Sequence, residues 1–304
     1  MTQAAPGLHE HRNGLLITGI GGLLFTWDIP LLRLAGADQW TMITTRGVFM
    51  FAAIGLWWLI SRRMRGDRTP FINGAAGWIV VITSTIANLF FIAAVTRTTA
   101  ANLVFILALN PIFCAILAWL FLKERPPLAT WAAVALALFG VGIIVSGGLS
   151  TGTFDGDVMA LVVALCMAIT LTTVRKTGKN VITSLATGSL LAALIAAVWA
   201  TPLAMPLEGW GWLALNGLIV IPLATALIAI GPRYLPSAEV AMFFLLDTVL
   251  TPVWVWMLFS ELPTAQSIVG GAIVISALLA HCVWRYRSNG VAVAATAATS
   301  RLDT

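Results

Sequence analysis

The sequence predicts an all-α integral membrane protein of ten transmembrane helices, arranged as two inverted five-helix repeats. Three observations predict it. Of 304 residues, 60% are hydrophobic and only 10% charged, with a mean hydropathy of +0.96, whereas an ordinary soluble domain is about 25% charged. The apolar residues fall into ten segments close to the ~20 residues that span a bilayer core. The chain also resembles itself at an offset of 137: Asn110 meets Asp247, Trp119 meets Trp256, Glu124 meets Glu261 and Pro126 meets Pro263.

The first repeat (13–147) holds spans at 13–34, 39–60, 75–95, 99–122 and 128–147. The second (157–287) holds 157–175, 181–200, 210–231, 237–259 and 264–284. Residues 1–12 are expected to be a cytoplasmic N-terminus, 148–156 an external linker, and 288–304 a small, polar, disordered tail. Gly14 opens the first span with no cleavage pattern before it, so no cleavable signal is expected. The longest loop, Ser61 to Gly74, is too short for a soluble domain. Cys114, Cys166 and Cys282 all sit in apolar segments and read as small apolar filler rather than a disulfide framework. Trp57, Trp58, Trp78, Trp210, Trp212 and Trp284 lie near span ends, where aromatic belts form. His281 reads as an interfacial residue at the end of span 10 rather than part of a proton relay.

Basic residues orient the chain. Threading ten spans with both termini on one side places 14 of the 17 Lys and Arg there, leaving Arg33 and Arg97 opposite and Arg46 within span 2. That side is the cytoplasm, and the membrane expected is a cell inner membrane. The basic balance, with a pI near 9.6, is thereby loop charge rather than a nucleic-acid footprint.

Five spans per repeat is an odd number, so the second copy enters the membrane from the opposite face. The flanks agree. Lys123-Glu124-Arg125 lies at a predicted cytoplasmic end, whereas its counterpart Ser260-Glu261-Leu262 lies at a predicted external end and lacks the basic residues. Inverted repeats recur in secondary transporters, with the substrate site near the midplane and helix interruptions pointing to it. Pro30, Pro111, Pro222 and Pro252 interrupt spans 1, 4, 8 and 9. Each frees a backbone carbonyl that a neighbour or a cavity must satisfy; simple structural kinks are the alternative.

Ionisable residues inside spans are costly and should face the bundle interior. Asp28 lies roughly 21 Å from the cytoplasmic end of span 1, and Arg46 roughly 10 Å from the external end of span 2. Across a ~30 Å core those depths coincide, which predicts an Asp28–Arg46 ion pair, either fixing two helices or serving as a gate or substrate contact. Asp247 lies about 14 Å into span 9 with no basic residue evident at its depth. Burial disfavours the charged form of a lone carboxylate, which would suit proton coupling or an amino group; hydrogen bonding for packing alone is the alternative. Asn88 and Asn110 reach mid-depth as polar contacts or interhelical glue, and Trp27 beside Asp28 is expected to line a cavity.

No Gly-rich loop ends in Gly-Lys-Ser/Thr, and no His-Glu-x-x-His or paired Cys-x-x-Cys is present. Neither ATP-driven pumping, a metal, a cofactor nor enzymatic activity is expected. Gly19-Ile-Gly-Gly22 and Gly140-Val-Gly142, inside spans, read as close helix packing.

Thr98-Thr-Ala-Ala-Asn102, Asn110-Pro111, Trp119-Leu-Phe-Leu-Lys-Glu124-Arg125 and Gly140-Val-Gly142 resemble the repeat signature of EamA-type members of the drug/metabolite transporter superfamily. Arg46 and Trp27 match that family's second-helix arginine and first-helix tryptophan, whereas Asp28 departs from the small residues usual there. The resemblance implies ten helices in two inverted halves around a central cavity. It also implies export of small metabolites, with YddG-like amino acid exporters, including exporters of aromatic amino acids, the nearest type. The expected partners are an amino acid substrate, the lipid bilayer and, for an exchanger, protons; a monomer or weak homodimer suffices. A membrane scaffold or accessory subunit, and an antiporter of sugar- or phosphate-containing metabolites, are the alternatives.

Overall fold

A computed structural model describes residues 8–65, 70–123, 128–178, 181–230, 237–280 and 283–284. The expected C-terminal tail, His281, Cys282 and Glu124 lie outside the described residues. Every regular element among them is helical. The first repeat contributes α1 (Leu8–Phe25), α2 (Asp28–Leu34), α3 (Gln39–Arg65), α4 (Gly74–Arg97), α5 (Ala100–Leu107), α6 (Asn110–Leu122) and α7 (Leu128–Thr151). The second contributes α8 (Phe154–Thr177), α9 (Ile182–Ala196), α10 (Leu207–Ala214), a π-turn (Leu215–Val220), α11 (Ile221–Ile230), α12 (Ser237–Phe259) and α13 (Ala265–Ala280).

Among the described residues, seven stretches are long and apolar enough to cross a membrane: Leu16–Leu34, Gln39–Met64, Gly74–Arg97, Ala100–Phe121, Leu128–Gly147, Phe154–Val174 and Leu207–Ile228. Three shorter apolar helices, Ile182–Ala196, Leu246–Phe259 and Ala265–Ala280, accompany them.

Proline lacks an N–H and clashes with the carbonyl four residues back, so it is tolerated best in a first helical turn. Pro30 and Pro111 sit in the first turns of α2 and α6, so two apolar stretches are split into paired half-helices at Thr26–Trp27 and Ala108–Leu109. Pro222 follows the π-turn, and Pro252 lies inside α12. The two ends of the repeat comparison share a backbone feature as well. Lys123 and Ser260, 137 residues apart, are the non-glycine residues with left-handed φ among the described residues, at 56° and 55°. Each stands where its helix stops, in the conformation that commonly closes a helix C-terminus.

The halves interleave rather than sit side by side: α4 packs on α8 and α9, α3 on α9, and α1 on α11. Small residues permit this. A Cβ on Gly140 would lie 2.8 Å from the Gly270 carbonyl oxygen, so α7 and α13 meet backbone to backbone. Gly21 likewise abuts Leu227 and Ile228 of α11, whereas Gly142 faces open space and takes no part. One apolar core runs through both halves, including Leu32, Leu103, Ile144 and Leu213, none of which is measurably exposed.

Candidate substrate site

The split between α1 and α2 organises two polar clusters. Pro30 cannot donate to the Thr26 carbonyl. That orphaned acceptor instead receives the Thr251 hydroxyl from α12 at 3.1 Å. Thr26 Oγ1 donates to the Leu23 carbonyl at 2.7 Å and accepts the Trp254 indole N–H at 3.0 Å. The break is thus sealed by side chains of the second half, as a buried backbone group in a membrane requires.

The first cluster centres on Arg46 of α3, which is 7% exposed. Its Nη2 bonds both carboxylate oxygens of Asp28, at 3.0 and 3.3 Å, so the sequence-predicted pair is present. Its Nη1 donates to Asn88 Oδ1 at 3.0 Å and its Nε to Asn216 Oδ1 at 3.0 Å. Asn216, on the π-turn and wholly buried, donates in turn to Asp28 Oδ1 at 2.7 Å. Asn88 passes its amide hydrogens to the Ser84 carbonyl and to Ser189 of α9. The Phe91 ring lies 5.5 Å from the guanidinium carbon. Gly217 lets the π-turn reach α3, since a Cβ there would fall 3.1 Å from the Arg46 carbonyl. Asn216 is the member that sequence reasoning missed: one amide in an apolar span carries no depth signal without its partner.

The second cluster lies beside the first. Asp247 of α12 is half-buried and accepts the Thr251 hydroxyl at 2.6 Å. Among the described residues the ion pairs are Arg46–Asp28 and Arg33–Glu261, so Asp247 belongs to neither. Thr251 Oγ1 lies within hydrogen-bonding distance of both Asp247 Oδ1 and the Thr26 carbonyl, and its single proton serves the two, so this cluster meets the same helix break as the first. Trp27, 37% exposed at the helix break, stacks on Trp254 with ring centroids 5.2 Å apart and planes 20° apart. Trp254 had no place among the sequence candidates.

Asn110 stands apart from both clusters. It opens α6, and its Oδ1 accepts only the weak Cys114 thiol at 3.3 Å, while its buried Nδ2 has no partner. A buried amide left without a bond costs about 1–3 kcal/mol unless something supplies an acceptor. Another acid unnoticed in the sequence, Asp157 at the start of α8, is wholly buried and held by Thr98 Oγ1 and Asn102 Nδ2.

The sequence matches the EamA-like transporter family over residues 14–146 and again over 155–281, one match per repeat. A solved crystal structure shares the fold with a TM-score of 0.62 at 16% identity, over 88% of this chain and 96% of that one. Comparison with curated proteins finds no match. A helical, twice-repeated membrane protein with charged residues satisfied deep inside its bundle therefore belongs to the EamA-like transporter family and carries small metabolites across a membrane.

Proposed function

We propose that this protein is a secondary transporter exporting amino acids, aromatic ones among them, across the inner membrane by alternating access, as a YddG-like member of its family. In this reading ten spans, split into repeats 13–147 and 157–287, surround a central cavity with both termini cytoplasmic. The observation that carries the substrate class is Asp247, a half-buried carboxylate outside any ion pair among the described residues. An ammonium group complements it, and the Trp27–Trp254 stack offers an apolar wall for a side chain. Asn110, at the equivalent position of the first repeat, stands apart from that carboxylate and carries a buried amide donor without an acceptor among the described residues.

The phosphate-antiporter reading requires a free cation in the bundle. Arg46 pairs its charge with Asp28 and also bonds Asn88 and Asn216, so it is not the free cation that a phosphate requires. Asp247 also provides the protonatable group that exchange for protons requires.

Flux of labelled amino acids from proteoliposomes, with and without a pH gradient, tests both halves of the proposal. Flux of at least one amino acid is expected in the wild type, and none for any would overturn the substrate class. Asp247→Asn should make residual flux insensitive to the gradient; pH dependence equal to wild type would reject coupling through that residue.

A further inference from the structure

At the end of α2 opposite Asp28, a second ion pair ties one end of the bundle together. Glu261 follows α12 on the turn set by left-handed Ser260, whose N–H returns to the Trp256 carbonyl at 2.9 Å. One Glu261 carboxylate oxygen pairs with Arg33 at the end of α2, and the other accepts the Ala100 N–H at the start of α5, at 3.0 Å. Arg33 also donates to the Thr98 carbonyl at 2.9 Å and the Val95 carbonyl at 3.3 Å. A single pair therefore joins the end of α2, the α4–α5 turn and the α12–α13 turn. The α4–α5 turn is itself anchored, because Thr98 and Asn102 both donate to buried Asp157.

Beneath the pair, Glu261 and Pro263 share a narrow crevice with Ala100, Ala101, Pro252 and Val255. Pro252 and Val255 lie on α12, the helix that carries Asp247. Solvent access distinguishes this pair from Asp28–Arg46. The Arg33 and Glu261 side chains are 17% and 26% exposed, against 8% and 11% for Arg46 and Asp28. Water can replace a partner that an exposed charge loses, whereas a buried charge is left uncompensated. A contact that must break and re-form in every cycle belongs to the first type.

We propose that the Arg33–Glu261 pair is a latch that holds this end of the bundle closed and opens to connect the Asp247 site with that side. That the side is external rests on the orientation given under the proposed function.

The test uses the full chain in proteoliposomes, with Cys114, Cys166 and Cys282 replaced by Ser and a reporter Val255→Cys in the crevice. A membrane-impermeant maleimide is applied to each face separately. Glu261→Gln keeps an acceptor for the Ala100 N–H but removes the charge, and should raise reporter labelling about tenfold from the face opposite the termini. Arg33→Gln should do the same, while Arg33→Lys, which keeps the charge, should label slowly like the parent. A second reporter, Ala192→Cys, fully buried in α9, should stay unlabelled throughout. Unchanged labelling of the crevice reporter in both neutral variants would overturn the latch. So would an equal rise at Ala192→Cys, because the bundle would then have opened everywhere. A rise only from the face bearing the termini would also overturn the latch, because the first span, Leu16–Leu34, places Arg33 at the opposite face.

Discussion

The two polar clusters on either side of the α1–α2 break differ in how completely their charges are answered. Around Arg46 the guanidinium meets a carboxylate and two amides, and Asn216 bonds both members of the ion pair. Around Asp247 the one hydrogen bond at the carboxylate among the described residues comes from Thr251, and the neighbouring tryptophan is partly exposed. A satisfied buried network is rigid and has nothing left to offer a ligand. A carboxylate held by one hydroxyl retains acceptor capacity. Under the proposed function, the contrast separates the scaffold of the site from its binding surface, although both sit at the same helix break.

Breaking the scaffold should have the largest effect. Arg46→Met leaves Asp28 buried without its cation, and removing one partner of a buried pair costs about 3–5 kcal/mol. A large fall in thermal stability in detergent is expected, with part of it recovered when Asp28→Ala is added. Full additivity of the two changes would show that the groups are uncoupled. Asn216→Ala should cost less, about 1–3 kcal/mol, by stripping an acceptor from Arg46 and a donor from Asp28. A thermal midpoint equal to wild type would remove the π-turn from the scaffold.

On the binding side the effects should appear in transport first. Trp254→Ala removes the ring stacked on Trp27, an interaction contributing about 0.5–1.5 kcal/mol beyond buried area. Up to about a tenfold rise in KM for an aromatic amino acid is expected, with a smaller change for a small apolar one. Equal changes for both would mean that the stack is structural.

The smallest effect is expected outside the spans, at Asp38 between α2 and α3. Burial pushes its carboxyl up, but hydrogen bonds from the Thr41 side chain and backbone, the Thr201 hydroxyl and the Trp40 N–H outweigh it and leave it below the ordinary carboxylate range. A group depressed on folding contributes stability that is present above its unfolded value of about 3.9 and is lost as pH falls through the lower folded value. Asp38 is exposed, so the contribution is small. Melting curves between pH 7 and pH 3 should show Asp38→Asn losing part of the wild-type acid dependence; parallel curves would reject it.

Depth arithmetic along two neighbouring spans was enough to read the Asp28–Arg46 pair, because a helix advances by a constant rise and two opposite charges at one depth have few other partners. It could not find Asn216, Trp254 or Asp157. The first two come from spans distant in sequence, and Asp157 stands at a span's edge, where an acid reads as loop charge. Asn88 joined the cluster as a polar contact, whereas Asn110 at similar depth did not, since the α5–α6 break turns it toward Cys114 instead. Glu261 was visible only as the mark of a repeat, and nothing in the sequence paired it with Arg33.

Sequence by itself determined the membrane as solvent, the apolar segments and their duplication. Those properties follow from composition and period, which act locally along the chain. Tertiary structure alone decided which polar groups meet. The interleaving of α3 and α4 with α8 and α9, and of α1 with α11, brings residues more than 180 positions apart within hydrogen-bonding distance. It was that packing, and not any local preference, that closed one acid into a network and left the other held by a single hydroxyl among the described residues.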